Sequence, residues 1–207
     1  MPSVIPSVKT LGEAWAQTDK TQLVVMVAPL IVLVVVYWGF LTAVNSKRAF
    51  TWTVFWLVLS GFIHSYLELS FTFFRDNQYF GAAMDLYSAS DFRYGFPMEE
   101  GTAAMEAITA LLDGPFCLIA AYAFVTKKPY YHPLVLVVSV MQMYGLTWFT
   151  LHPFFSDTPH MSSDPGLFWI ILVAFNAPWS IFPTILAFKS FREITSRFVE
   201  APKAKSA

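Results

Sequence analysis

Charge is scarce in this chain. Only 13% of its 207 residues are Asp, Glu, Lys or Arg, against roughly 25% in a soluble domain. With 56% hydrophobic and 18% aromatic residues and a mean hydropathy of +0.53, this shortage argues against an ordinary water-soluble domain and for an integral membrane protein. A net charge of -1 offers no basic surface to nucleic acid. Cysteine is nearly missing as well: the single Cys117 excludes an internal disulfide, and its apolar neighbours in sequence read as those of a packed core thiol. Also absent are a glycine-rich phosphate loop, a nucleophile elbow and a dinucleotide fingerprint, so nucleotide chemistry and serine hydrolysis find no support. No internal repeat or low-complexity segment is visible.

Long charge-free runs organise what is there. Residues 21–46 contain no charged side chain, enough for a first span, since ~20 apolar residues cross the hydrocarbon. Lys47 and Arg48 follow, then a second span over about 49–74, a third over 102–125 closed by Lys127 and Lys128, a fourth over 132–154 and a fifth over 167–188. The expected fold is an all-α integral membrane protein, five transmembrane helices in one bundle over 21–190, because the short connections favour antiparallel neighbours. Residues 1–20 read as a tail without a signal-peptide pattern, and 191–207 as a basic tail. Residues 75–101 form a long polar loop laced with Tyr79, Phe80, Tyr87, Phe92, Tyr94 and Phe96; it reads either as a lid or as an interfacial aromatic belt.

Basic residues choose the orientation. One side of five alternating spans collects Lys47, Arg48, Lys127, Lys128, Lys189, Arg192, Arg197, Lys203 and Lys205, the other Lys9, Lys20, Arg75 and Arg93. The positive-inside rule makes the first side cytosolic, with the N-terminus and the 75–101 loop lumenal and the C-terminus cytosolic. The terminal Lys203-Ala204-Lys205-Ser206-Ala207 then reads as a dilysine signal for the endoplasmic reticulum membrane.

Ionisable groups inside the spans are expensive, at least ~2.5 kcal/mol each at bilayer depth, and mark function by default. His64 and Glu68, four apart, share one face of the second span. Glu106 and Thr109 on the third span, and Asn176 and Trp179 on the fifth, enter from the same side and reach the same depth. Two carboxyl groups in a low-dielectric pocket split into an acid and an ionised partner. Such a pair protonates an alkene, and an indole face such as Trp179 stabilises the resulting cation without trapping it. Plainer readings stand beside these. Asn176, His64 and Thr109 are ordinary interhelical or back-bonded hydrogen-bonding groups, Trp179 is ordinary core packing, and Asp113, ahead of Gly114-Pro115, is a server of backbone groups at a kink. A metal triad of His64, Glu68 and Glu106 lacks the second histidine of a zincin helix, so no metal or other cofactor is expected.

Four separated segments carry a resemblance: Gly61-Phe62-Ile63-His64 with Glu68; Met105-Glu106-Ala107-Ile108-Thr109-Ala110 leading to Gly114-Pro115; Gln142-Met143-Tyr144-Gly145; and Asn176-Ala177-Pro178-Trp179. Together with Asp91-Phe92-Arg93-Tyr94, they resemble the emopamil-binding protein family, the EXPERA-domain group that includes sterol Δ8-Δ7 isomerases. The resemblance implies a five-helix membrane fold with a sterol-sized cavity. It makes His64, Glu68 and Glu106 catalytic, protonating a ring alkene, stabilising the carbocation and removing a neighbouring proton. Thr109, Asn176, Trp179, Asp113 and Tyr144 become substrate-binding. A sterol or polycyclic terpenoid substrate, binding of cationic amphiphilic amines that imitate the cation, and membrane lipid as surroundings are further implications; a homodimer stays open. The sequence also departs from the family pattern. Asp113 stands where the sterol isomerases have tryptophan, Leu146 replaces an expected aspartate, and Pro178 interrupts the Asn-Ala-x-Trp segment. These departures point to a sibling isomerase or cyclase acting on another polycyclic terpenoid; a non-catalytic sterol-binding or transport member of the fold, like other family branches, is the further alternative to the sterol isomerase itself.

Overall fold

The computed structural model describes residues 10–75, 81–155 and 160–200. Asp76, Tyr79 and Phe80 of the polar loop and the Lys203 and Lys205 pair of the terminal signal lie outside these residues. Five helices are long and apolar enough to cross a membrane: Lys20–Ala49, Trp52–Phe74, Glu100–Val125, Tyr131–Phe155 and Leu167–Val199. They are referred to below as the first to fifth spans, and each matches an expected run to within a few residues at its start. The fifth continues further, because its polar C-terminal half stays helical. Among the described residues there is no strand; the one extended pairing is an isolated antiparallel bridge between Asp91 and Met161.

Side-chain caps set where most spans begin. The first N–H groups of a helix have no partner inside it, and an oxygen at the preceding residue satisfies them. Asp19 accepts from the amides of Thr21 and Gln22, Thr51 from Val54, Glu99 from Gly101 and Thr102, and Asp164 from Leu167. Each of these caps stands just ahead of an apolar run. Residues 11–17, expected as tail, instead form a short helix, Leu11–Gln17, capped by Thr10. Its Ala14 packs against Ala89, Leu167 and Ile171.

The second and third spans are central. Half of the apolar stretch of the second is buried and 44% of the third, against 17–22% in the other three. Their contact is close because small residues line it: Ala120, Ala121 and Ala123 are fully buried among Val54, Leu57, Val58 and Val135. Cys117 is buried in the same cluster, as a core thiol should be. Apolar residues on the outer faces, such as Val32, Val36, Trp169 and Phe188, are exposed and suit contact with lipid.

The second, third and fifth spans each contain a widened turn. Ile63–Glu68, Thr109–Asp113 and Leu167–Ala174 are π-helical, a geometry that fits one extra residue into the helix and often marks a functional site. The first two face each other. Gly114 directly follows the second and has no side chain where Ser65 and the Gly61 carbonyl approach.

The polar loop packs inward. Arg75 at the end of the second span donates to the carbonyls of Tyr94 and Gly95. Arg93, completely buried, pairs with buried Asp91 at 2.6 Å and donates to the Phe149 carbonyl of the fourth span at 2.9 Å. Burial alone would lower the Arg93 guanidinium, but the Asp91 carboxylate outweighs it and holds it above its ordinary value. The amide of Phe92 donates to the His160 carbonyl at 2.7 Å and that of Ser162 to the Ser90 carbonyl at 2.9 Å, which fastens the loop to the connection before the fifth span.

Candidate active site

The loop, the short N-terminal helix and all five spans line a cavity of about 530 Å³, within the range of sites for drug-sized ligands. Its walls are apolar: Leu23, Met26, Val27 and Leu30 from the first span, Phe71 from the second, Leu146 and Phe149 from the fourth, Ile171 from the fifth. Polar groups gather at its centre. The widened turns put them there, because an extra residue per turn aims side chains from both π-helical segments at one point.

His64 is the hub. Its Nδ1 lies 2.6 Å from Glu68 Oε1. Its Nε2 accepts the indole N–H of Trp179 at 3.0 Å and lies 3.2 Å from Asp113 Oδ2. The hydroxyl of Thr109 donates to the second Glu68 oxygen at 2.6 Å, crossing from the third span to the second. Glu106 is a neighbour of Glu68, and the Tyr94 hydroxyl of the loop donates to Glu106 Oε1. Burial first, then the Glu106 carboxyl, pushes the Tyr94 phenol well above its ordinary value, so it stays a proton donor at neutral pH. Trp179 meets His64 edge-on, ring centroids 5.9 Å apart, and is itself steadied by Trp56 at 5.3 Å.

Of the eight residues expected at the site, seven line the cavity: His64, Glu68, Glu106, Thr109, Asp113, Asn176 and Trp179. Asn176 donates to the Tyr87 hydroxyl at 2.9 Å and to the Leu172 carbonyl, and so ties the fifth span to the loop. Asp113 does not serve freed backbone; it accepts from the Gln142 amide at 3.0 Å and is fully buried. Tyr144 is the exception and its assignment to substrate binding is corrected. It is 66% exposed and absent from the lining, whereas Met141, Gln142, Gly145 and Leu146 are present. Each residue turns a helix by about 100°, and that rotation carries Tyr144 from the cavity to the outer face.

Three contributors were not expected in these roles. Tyr87 was visible only as a loop aromatic, Tyr94 as a loop aromatic within the Asp91-Phe92-Arg93-Tyr94 segment, and Gln142 only as part of a motif. Gln142 donates to Ser60 at 2.9 Å as well as to Asp113, and its own oxygen has no partner. Among the described residues no group of three or more His, Cys, Asp or Glu side chains is arranged to hold a metal ion.

Helices of membrane length around a largely apolar cavity, with carboxyl and imidazole groups packed at its centre, define a class: multi-pass membrane proteins with ionisable groups inside an apolar cavity. Within that class the chain belongs to the emopamil-binding protein (EBP) family, whose model, EXPERA (EXPanded EBP superfamily), matches residues 79–190. It is 32% identical over 153 residues to a probable 3-beta-hydroxysteroid-Delta(8),Delta(7)-isomerase of Oryza sativa subsp. japonica, covering 71% of this chain and 69% of that protein. It is 32% identical over 148 residues to the 3-beta-hydroxysteroid-Delta(8),Delta(7)-isomerase of Rattus norvegicus, covering 68% and 64%. A third relative, 28% identical over 147 residues and covering 68% of each chain, is an isomeliandiol synthase of Melia azedarach. The chain thus spans about two thirds of the length of these relatives.

Proposed function

We propose that this protein is a membrane isomerase that shifts a ring double bond of a sterol, Δ8 to Δ7, or of a closely related polycyclic terpenoid. One observation carries the reading: Glu68 lies against His64, Glu106 neighbours Glu68, and the Trp179 indole contacts His64, all in a mostly apolar cavity of about 530 Å³. Glu106, with His64 beside it, delivers a proton to one alkene carbon, and the alkene pair becomes the new C–H bond. The cation left on the adjacent carbon is held by the Glu68 carboxylate and the indole face. Glu68 then takes a proton from the next carbon, whose C–H pair becomes the shifted double bond. Walls of Leu, Met, Val and Phe keep water from trapping the cation.

Cationic amphiphilic amines fit the same place as imitations of that cation. The basic-residue asymmetry supports a lumenal N-terminus and loop, a cytosolic C-terminus and residence in the endoplasmic reticulum membrane. Asp113, Leu146 and Pro178 favour a substrate that differs from the common sterol. A second reading, a synthase acting on another polycyclic terpenoid through the same cation, is supported by the likeness to the Melia azedarach protein.

The test is turnover in deuterated water. Membranes containing the protein, given a Δ8-sterol, should yield a Δ7 product carrying deuterium on a ring carbon, and Glu106→Gln should lower the rate by at least about 10²-fold. A panel of polycyclic terpenoids tests the second reading. Absence of labelled product from every substrate, with sterol still bound, refutes both.

A further inference from the structure

Most polar groups around the cavity satisfy one another. Both His64 nitrogens, both Glu68 oxygens, the Thr109 hydroxyl and the Trp179 indole have partners within the site. Among the described residues that line the cavity, two keep a buried side-chain atom with no hydrogen-bond partner: Asp113 Oδ1 and Gln142 Oε1. The two side chains are themselves paired. Gln142 Nε2 donates to Asp113 Oδ2 at 3.0 Å and to Ser60 Oγ at 2.9 Å. These contacts fix the amide, because a flipped one would set its oxygen against the carboxyl oxygen. Each residue is left with one bare acceptor, and no donor among the described residues reaches either. A buried acceptor without a partner is costly. What the pair lacks is an O–H group.

The place of the pair limits which O–H group it can take. Contacts of 2.6 and 3.2 Å on the two nitrogens of His64 leave little more than an imidazole between Glu68 and Asp113. A group held at Asp113 therefore lies within a ring or two of carbon held at Glu68. The last torsion of a carboxyl or amide side chain is broad, so the pair turns a bare oxygen to the cavity without moving backbone. We propose that Asp113 and Gln142 form a subsite for a substrate hydroxyl, carried on the reacting ring or on a ring fused to it. The hydroxyl donates to Asp113, while Gln142 steadies the carboxyl through its other oxygen and offers the second acceptor. Both residues set specificity and take no proton in the reaction: they select hydroxylated polycycles over hydrocarbons of the same shape. The reacting ring is that of the isomerase reading, on which this assignment rests.

Binding of matched pairs to the solubilised full chain tests the subsite without turnover. The probes are tritium-labelled Δ8-sterols and tetracyclic triterpenols, each beside the analogue that lacks a single ring hydroxyl. A hydroxyl near the double bond should tighten binding to the wild-type protein by about tenfold or more, the ordinary effect of one hydrogen bond to a buried carboxyl group. In Asp113→Leu, which keeps the size of the side chain and removes the acceptor, that advantage should fall below about threefold. If no pair gains tenfold from its hydroxyl, or if the advantage survives in Asp113→Leu, the proposal is overturned; equal binding of every pair leaves the two oxygens to ordered water. The wild-type comparison needs no variant and decides even where Asp113→Leu fails to fold. Turnover of the same probes is read separately. A wild-type protein that keeps the hydroxyl preference and isomerises none of them loses the isomerase reading alone, and one that isomerises them with no such preference loses the subsite alone.

Discussion

Replacing Gly114 by alanine puts a methyl carbon into a close contact between the second and third spans. That carbon would lie 2.3 Å from Ser65 Oγ, 2.7 Å from the Ser65 backbone nitrogen and 3.0 Å from the Gly61 carbonyl. The serine hydroxyl can rotate away; the backbone nitrogen cannot. Reaching ordinary contact at 3.4 Å requires the two helices to separate by about 0.7 Å at this level. Overfilling a packed interface costs about 1–3 kcal/mol, and the obstruction here is main chain, which favours the upper part of that range. The functional effect should exceed the structural one. Ser65 adjoins His64 and Gly114 adjoins Asp113, so the separation opens the 3.2 Å approach of those side chains. A 1 Å misplacement of reacting groups costs about 10²-fold in rate. Thermal unfolding in detergent, read beside turnover of a Δ8-sterol or a responsive terpenoid, should give a lowered midpoint and a rate reduced by about 10²-fold. A Gly114→Ala protein with unchanged midpoint and rate would refute the close approach on which the site geometry depends.

Two further outcomes are expected. Arg93→Met leaves the Asp91 carboxylate buried and unpaired, a loss of about 3–5 kcal/mol; thermal unfolding should show it, and adding Asp91→Asn should recover part of the loss. Tyr144→Ala, on the outer face of the fourth span, should leave KM and kcat within twofold of the wild type, and a larger change would put Tyr144 back at the cavity.

The sequence made the spans legible because lipid demands long uncharged runs, and punctuation by Lys47, Arg48, Lys127 and Lys128 is hard to mistake. It made most of the site legible for the same reason in reverse: His64, Glu68, Glu106 and Asp113 are too costly in an apolar helix to be idle. Helical spacing then placed Glu68 beside His64 and Thr109 beside Glu106. What spacing cannot express is a partner from another element. The hydrogen bond from Tyr94 to Glu106 depends on how the loop folds back, and the approach of Asp113 to His64 on two π-helical segments whose extra residues leave no mark on the hydrophobic pattern. Tyr144 failed for a related reason. A short motif contains both faces of its helix, and a resemblance along the chain does not say which residue turns inward.

The facing widened turns make the site a matter of residue count as well as residue identity. An α-helix interrupted by one extra residue holds its two halves about 100° out of step with an uninterrupted one. Loss of a single residue from 63–68 or 109–113 would restore a regular helix and swing one half around its axis, carrying Glu68 or Gly114 off the shared line with every side chain still present. Substitutions in these stretches edit single words; a deletion shifts the reading frame of the three-dimensional text. Among descendants of this chain, the lengths of these two segments should therefore be guarded more closely than the identities of the apolar residues within them.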